Sequence, residues 1–159
     1  MEKKDGSLSV SWQGIIPAFE EHAAIDEVGF ATGETATIFA WDEESQDFWR
    51  RTTNIKKNDG SRAIGTPLGK TGKVYPIITK GETFRGLATI LGKEYFTLYE
   101  PIFSADDKSK VVGILYVGVG RAALEEIKQE LTFSLLSVMG ILAIVAIAVA
   151  ALIVGRLLK

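Results

Sequence analysis

Hydrophobic and polar positions divide the chain into a region of short alternating runs and a uniformly apolar end. Between residues 35 and 119, runs rich in β-branched and aromatic residues are separated by turn residues, which is typical of β-strands. The connections have hairpin length, so an antiparallel sheet is expected. We predict five strands: Thr35–Trp41, Phe48–Ile55, Gly86–Leu91, Tyr95–Phe103 and Val111–Val119.

Helical spacing is found mainly outside these runs. Phe19, Ala23 and Val28 predict a short helix over residues 18–30, ahead of the turn at Thr32-Gly33. In the long connection between the second and third strands, Asn58-Asp59-Gly60 favours a turn because Asp and Gly tolerate positive φ. The same connection allows one helical turn around Val74 to Ile78, ending at Gly81.

Residues 131–155 contain no charged side chain and predict a single transmembrane helix. At 1.5 Å per residue such a helix reaches about 37 Å, enough to cross a hydrocarbon core of about 30 Å with some tilt. A buried soluble helix is the alternative, but a domain this small has little to surround it with. Acidic residues precede the run, and Arg156 and Lys159 follow it, so the soluble part is expected to face outward.

The start of the chain conflicts with an outward orientation. No apolar stretch of signal-peptide length follows Met1. Two explanations stay open. In the first, the chain is a fragment lacking a first membrane helix. In the second, residues 131–155 are a tail anchor and the domain stays inside.

These patterns predict five parts. They are an N-terminal segment with a partial helix (1–24), a sheet domain (25–120), a juxtamembrane helix (121–130), a transmembrane helix (131–155) and a cytoplasmic stub (156–159).

Charge narrows the classes of partner. The chain has 18 basic and 20 acidic residues and no cysteine, which excludes disulfides and thiolate chemistry and argues against nucleic-acid binding. The charges are unevenly spread: residues 1–49 hold 2 basic and 11 acidic side chains, whereas residues 50–93 hold 10 basic and 2 acidic ones. The locally cationic middle of the chain indicates a small anion as the partner.

Polar side chains on two predicted strands are candidates for binding it. Strict alternation places Arg50, Thr52 and Asn54 on one face, where the guanidinium fork suits a carboxylate. Tyr95, Thr97 and Tyr99 share a face of their own strand and offer aromatic walls with hydroxyl groups. A solvated face, or an ion pair with the acidic N-terminal third, remains the alternative for Arg50, and ordinary core packing remains the alternative for the tyrosines.

Catalytic residues and metal ligands are not predicted. The single histidine, His22, is flanked by Glu20 and Glu21, but adjacent residues on a helix do not share a face, and no nucleophile or carboxylate pair accompanies it. The sequence therefore favours a binding protein without a cofactor over an enzyme.

Five segments together resemble the extracytoplasmic Cache sensor domain, Cache 3/Cache 2 fusion type, of bacterial methyl-accepting chemotaxis proteins, over residues 25–120. The segments are Thr32–Phe39, Phe48–Lys57, Asp59–Leu68, Tyr95–Ile102 and Gly113–Val119. The resemblance implies an α+β, PAS-like fold, with a central antiparallel sheet of about five strands, flanking helices and a ligand pocket on one face.

The resemblance also implies a receptor context. It implies a homodimer, with a membrane helix before the domain and a cytoplasmic output module after it. Tyr75 falls in the loop region that the family uses over its pocket, and Arg51 stands where the family more often has an aliphatic residue.

The leading hypothesis is a ligand-sensing domain of a chemoreceptor-like transducer. It would be anchored in the bacterial inner membrane and face the periplasm or exterior. It would bind a small anionic organic molecule, such as a carboxylate, and signal through its C-terminal helix. The alternative is a tail-anchored structural or adaptor protein with no small-molecule ligand.

Overall fold

The computed structural model describes residues 2–4, 7–122, 125 and 128–142. The fold is α+β, as predicted. In chain order the elements are strands β1 (Glu2–Lys4) and β2 (Ser7–Trp12), helix α1 (Ala23–Thr32), strands β3 (Thr35–Asp42) and β4 (Asp47–Thr53), helix α2 (Tyr75–Ile78), and strands β5 (Phe84–Ile90), β6 (Lys93–Ser104) and β7 (Val111–Gly120).

Strand β6 is the centre of the sheet. One of its edges pairs antiparallel with β7, which continues through β3 to β4. Its other edge is shared, since β5 pairs with its first half and β2 pairs with its last three residues. The five predicted strands are confirmed as β3 to β7, with ends that differ by two residues or fewer.

The prediction of a purely antiparallel sheet is wrong. Strand β2 runs parallel to β6 through the pairs Val10 with Ile102 and Trp12 with Ser104, so the sheet is mixed. Strands β1 and β2 were not among the predicted elements, although Leu8, Val10 and Trp12 alternate with serines as a strand requires. The signal is short, and a partner distant in sequence is needed to stabilise so short a strand.

Helix α1 begins five residues later than predicted. Residues 18–22 are not helical, and the first helical hydrogen bonds run from Ile25 N and Asp26 N to His22 O. The predicted stop is confirmed: Gly33 adopts φ 72° and donates its N–H to Gly29 O at 2.9 Å. Arg62 ties α1 to the sheet by bonding both Asp26 carboxylate oxygens and Thr53 O.

Apolar side chains form two cores, one on each face of the sheet. Phe39 belongs to the larger core and its neighbour Ala40 to the smaller one, because successive strand residues point to opposite faces. The larger core also contains buried side chains from β4, β5, β6, β7 and the segment between β4 and β5: Phe48, Ile55, Ala63, Val74, Ile78, Phe84, Ile90, Tyr99, Ile114 and Tyr116. This larger core adjoins the cavity described below.

The chain divides after Arg121 into two compact units. In the second unit, residues 128–142 are helical and their large apolar side chains are exposed, for example Phe133 at 78% and Met139 at 67%. Among the residues described, no helix has both the length and the apolar character needed to cross a bilayer. Residues 143–155 of the predicted span, and the predicted stub 156–159, lie outside the described residues.

Candidate functional site

A cavity of about 420 Å³ opens between β5, the start of β6 and the segment that leads into α2. Its walls combine aliphatic side chains, glycine backbone and a few charged groups. The lining residues are Arg50, Leu68, Gly69, Gly72, Lys73, Val74, Leu87, Ala88, Thr89, Ile90, Glu94 and Tyr99. Small-molecule sites in proteins commonly combine apolar walls with polar groups that orient the ligand.

Backbone pairing with β4 holds one wall of this cavity in place. Arg50 N donates to Thr66 O at 3.0 Å, and Gly65 N donates back to Arg50 O at 2.9 Å. Leu68 N then donates to Phe48 O at 2.8 Å. The glycine-rich segment after residue 64 is therefore fixed along the edge of β4, beside the Arg50 side chain.

Arg50 is a buried cation. Only 6% of the residue is exposed, and its guanidinium carbon lies 4.9 Å from the centre of the Phe39 ring, a cation–π contact. Nη1 donates to Thr66 Oγ1 at 2.5 Å, whereas the buried Nε has no hydrogen-bond partner. The ion pairs found within the described residues do not include Arg50.

Burial without a paired carboxylate shifts the pKa of the Arg50 guanidinium. Desolvation lowers the pKa of Arg50 below its ordinary value, while the phenols of Tyr99 and Tyr116 act in the opposite direction. An unpaired buried cation is costly for the folded state. It is also complementary to an anion that enters the cavity, because the fork can donate two parallel hydrogen bonds to a carboxylate.

Tyr99 forms the aromatic side of the site. The residue is 2% exposed, and its ring centre lies 4.8 Å from that of Tyr116 and 6.0 Å from that of Phe84. Burial raises the pKa of Tyr99 to about 12, with Arg50 acting in the opposite direction. The phenol is therefore neutral at physiological pH and can donate a hydrogen bond.

A model of the Cache 3/Cache 2 fusion domain matches residues 17–153. The chain belongs to this family. Cache domains are extracytoplasmic domains that bind small molecules, so the cavity beside Arg50 is the candidate ligand site of a sensor domain. Comparisons with curated proteins and with solved structures gave no match.

In this Cache domain, the side chains of Arg50, Thr52 and Asn54 do not share one face of the sheet, contrary to the prediction. Phe39 pairs with Arg50 and Ile38 pairs with Thr52, so Arg51 is the extra residue of a β-bulge. Because Phe39 and Ile38 point to opposite faces, Thr52 and Asn54 lie on the face opposite Arg50. The prediction of one shared face is wrong, since one bulged residue inverts the alternation that follows.

Thr52 and Asn54 hold neighbouring backbone and side chains instead. Thr52 Oγ1 lies 2.9 Å from His22 Nδ1, just before α1. Asn54 accepts from Ala36 N at 2.8 Å and donates to Glu34 O at 2.9 Å, which secures the connection between α1 and β3. Neither residue lines the cavity, and ligand contact by either stays a prediction.

The other predicted residues, Tyr75, Tyr95 and Thr97, do not line this cavity. Tyr75 packs edge-on against Phe48 and donates its hydroxyl to Gln46 O at 2.7 Å. Tyr95 packs against the larger core, and Thr97 is buried with its hydroxyl bonded to Gly86 O at 2.7 Å. Of the seven predicted residues, Arg50 and Tyr99 are brought together at this cavity, and the other five are not among its lining residues.

Lys73 and Glu94 are site residues that the sequence did not indicate individually. Lys73 lies in the loop before α2, within the cationic stretch of residues 50–93, which was the only available signal. Glu94 lies near the start of β6, and its Oε2 accepts from Arg121 Nη1 at 2.8 Å. Side-chain periodicity does not identify loop residues that meet a strand across a cavity.

Proposed function

We propose that this Cache domain is the ligand-sensing part of a membrane-anchored, chemoreceptor-like transducer that binds a small organic carboxylate. The observation that carries the proposal is the Arg50 guanidinium, which is buried at the wall of a cavity with mixed polar and apolar lining and has no carboxylate partner among the described residues. No catalytic role is proposed.

A carboxylate would supply the counter-charge that Arg50 does not find among the described residues. Its two oxygens can accept hydrogen bonds from the guanidinium of Arg50, which lines the cavity. The neutral hydroxyl of Tyr99 can donate to the same group, and aliphatic residues such as Val74 and Ile90 can cover the rest of the ligand. Such binding would remove most of the electrostatic cost of burying Arg50.

Contacts between β6 and β7 support a route for the signal. Tyr99 on β6 lines the cavity, and its ring packs at a tilted angle against that of Tyr116 on β7. Strand β7 ends at Gly120, and helical residues begin at Arg121. We propose that ligand binding favours one of two pre-existing positions of β7 and so moves the helix that follows.

The membrane anchor is proposed from the sequence and from the exposed apolar helix. Residues 131–155 carry no charge, and the described part of this segment exposes large apolar side chains. Lipid is the solvent in which such a surface is stable. We also propose that the domain faces outward and works as a homodimer with a cytoplasmic output module.

Isothermal titration of the full chain in detergent tests the ligand proposal. We expect heat of binding with at least one acid from a panel of small carboxylates, and loss of that heat in Arg50→Gln. Arg50→Lys should bind weakly, because a single ammonium cannot reproduce the two-pronged fork.

Arg85→Gln is the matched control, since it removes an exposed arginine that does not line the cavity. It should bind like the parent chain. Absence of heat with every acid, or equal losses in Arg50→Gln and Arg85→Gln, would refute the proposal.

A further inference from the structure

The cavity carries more positive charge than Arg50 alone. Three charged side chains line it: Arg50, Lys73 and Glu94. Glu94 is already paired, because its carboxylate accepts from Arg121 at 2.8 Å. Lys73 has no ion pair within the described part of the chain. Two uncompensated cations therefore face one cavity.

The two cations come from different elements and have different environments. Arg50 is buried on β4 against the larger core, whereas Lys73 is an exposed residue of the loop before α2. The lining also includes aliphatic side chains such as Leu68, Val74 and Ile90. The cavity thus offers one buried cation, one solvent-exposed cation and aliphatic surface.

Building on the proposed function, we propose that the preferred ligand is a dicarboxylate, with one carboxylate on Arg50 and the second on Lys73. A monocarboxylate would leave Lys73 without a counter-charge. An amino acid is disfavoured because its ammonium would compete with Arg121 for Glu94 and face Lys73 at the same cavity. Lys73 is thus assigned the role of a specificity-determining residue.

Matched pairs of acids test this assignment by isothermal titration of the full chain at a pH of about 8, where both carboxylates are ionised. The pairs are succinate with butanoate and glutarate with pentanoate, each of equal carbon number. We expect the diacid of at least one pair to bind about fivefold more tightly, the size of a charge pair at a solvated cavity mouth. Added salt should reduce this preference.

Lys70 provides a matched control, because it is an exposed lysine of the same loop that does not line the cavity. Lys73→Gln should remove the difference between diacid and monoacid, whereas Lys70→Gln should keep it. Both variants lose the same charge, so a general electrostatic effect would weaken them equally.

Equal affinities within every pair, or the same preference in Lys73→Gln and Lys70→Gln, would overturn the dicarboxylate assignment while leaving carboxylate binding intact. If none of the four acids binds to the parent chain, the dicarboxylate assignment is overturned. If no acid of the wider carboxylate panel binds either, the proposed function is overturned as well.

Discussion

At the scale of single residues, the charge of Arg50 is expected to serve ligand binding and not the stability of the fold. Its guanidinium is desolvated and has one side-chain hydrogen bond, to Thr66. The aliphatic stem and the contact with Phe39 could be supplied as well by an uncharged side chain. The unpaired charge itself lowers the stability of the folded domain.

We therefore expect Arg50→Met to raise the free energy of unfolding of the ligand-free chain by about 1 kcal/mol while abolishing carboxylate binding. Urea denaturation measures the first effect and titration calorimetry the second. A loss of more than about 2 kcal/mol would instead assign Arg50 a structural role.

The raised pKa of Tyr99 predicts that the folded domain loses stability at alkaline pH. Burial raises the pKa of Tyr99 from its ordinary value of 10.0 to about 12. The folded state binds the phenolic proton of Tyr99 more tightly than the unfolded state does. The resulting contribution to the free energy of unfolding is therefore complete below pH 10 and is lost as the pH rises towards about 12.

Tyr99→Phe should therefore lose less stability over that interval than the parent chain, by up to about 2 kcal/mol. Burial also raises the pKa of Tyr116, so part of the slope should remain in the variant. Urea denaturation at about pH 9 and about pH 11.5 measures the difference. Identical slopes in both proteins would contradict the role given to Tyr99.

At the scale of elements, close packing along β7 constrains two of its glycines differently. A Cβ at Gly113 would collide with the Ile16 side chain and with the backbone oxygen of Phe39. At Gly120 the nearest atom is Cε1 of Tyr95 at 3.9 Å, which is an ordinary contact.

Gly113→Ala should consequently destabilise the domain by about 2 kcal/mol, whereas Gly120→Ala should change it by less than about 0.5 kcal/mol. The two changes are chemically identical and lie in one strand, so their difference in denaturation midpoint reports packing alone. Equal effects would indicate that β7 shifts freely at Gly113.

At the scale of the whole molecule, the apolar run of residues 131–155 predicts attachment to membranes. Leu136→Arg combined with Met139→Arg should shift the chain out of the membrane fraction of expressing cells, since an arginine within the bilayer is unfavourable by up to about 3 kcal/mol, the value at a helix centre. Gln129→Arg, outside the run, is the control and should stay membrane-bound. Equal fractionation of both would contradict the anchor.

The orientation of the chain in the membrane distinguishes the external sensor from the tail-anchored adaptor. Reporters fused to either terminus should show the N-terminal side outside and the C-terminal side inside if the domain is an external sensor. A cytoplasmic N-terminal reporter would favour the adaptor instead.

Local sequence determined most of the fold. Strands β3 to β7 were predictable because β-branched and aromatic runs end at turn residues such as Asn58-Asp59-Gly60, and both signals act over a few residues. Arg50 and Tyr99 were predictable as site candidates because a guanidinium or a phenol on a strand has a recognisable chemistry. The apolar run of residues 131–155 and the glycine that ends α1 were equally readable.

Tertiary structure decided the rest, because it depends on contacts distant in sequence. The parallel pairing of β2 requires an edge of β6 some ninety residues away. The bulge at Arg51, which turns Thr52 and Asn54 to the far face, arises from the register of β4 on β3, to which no local pattern points. Lys73 and Glu94 meet Arg50 only because a loop and two strands enclose one cavity. The sequence therefore determined which residue types are present, whereas tertiary packing determined which of these residues lie together at one site.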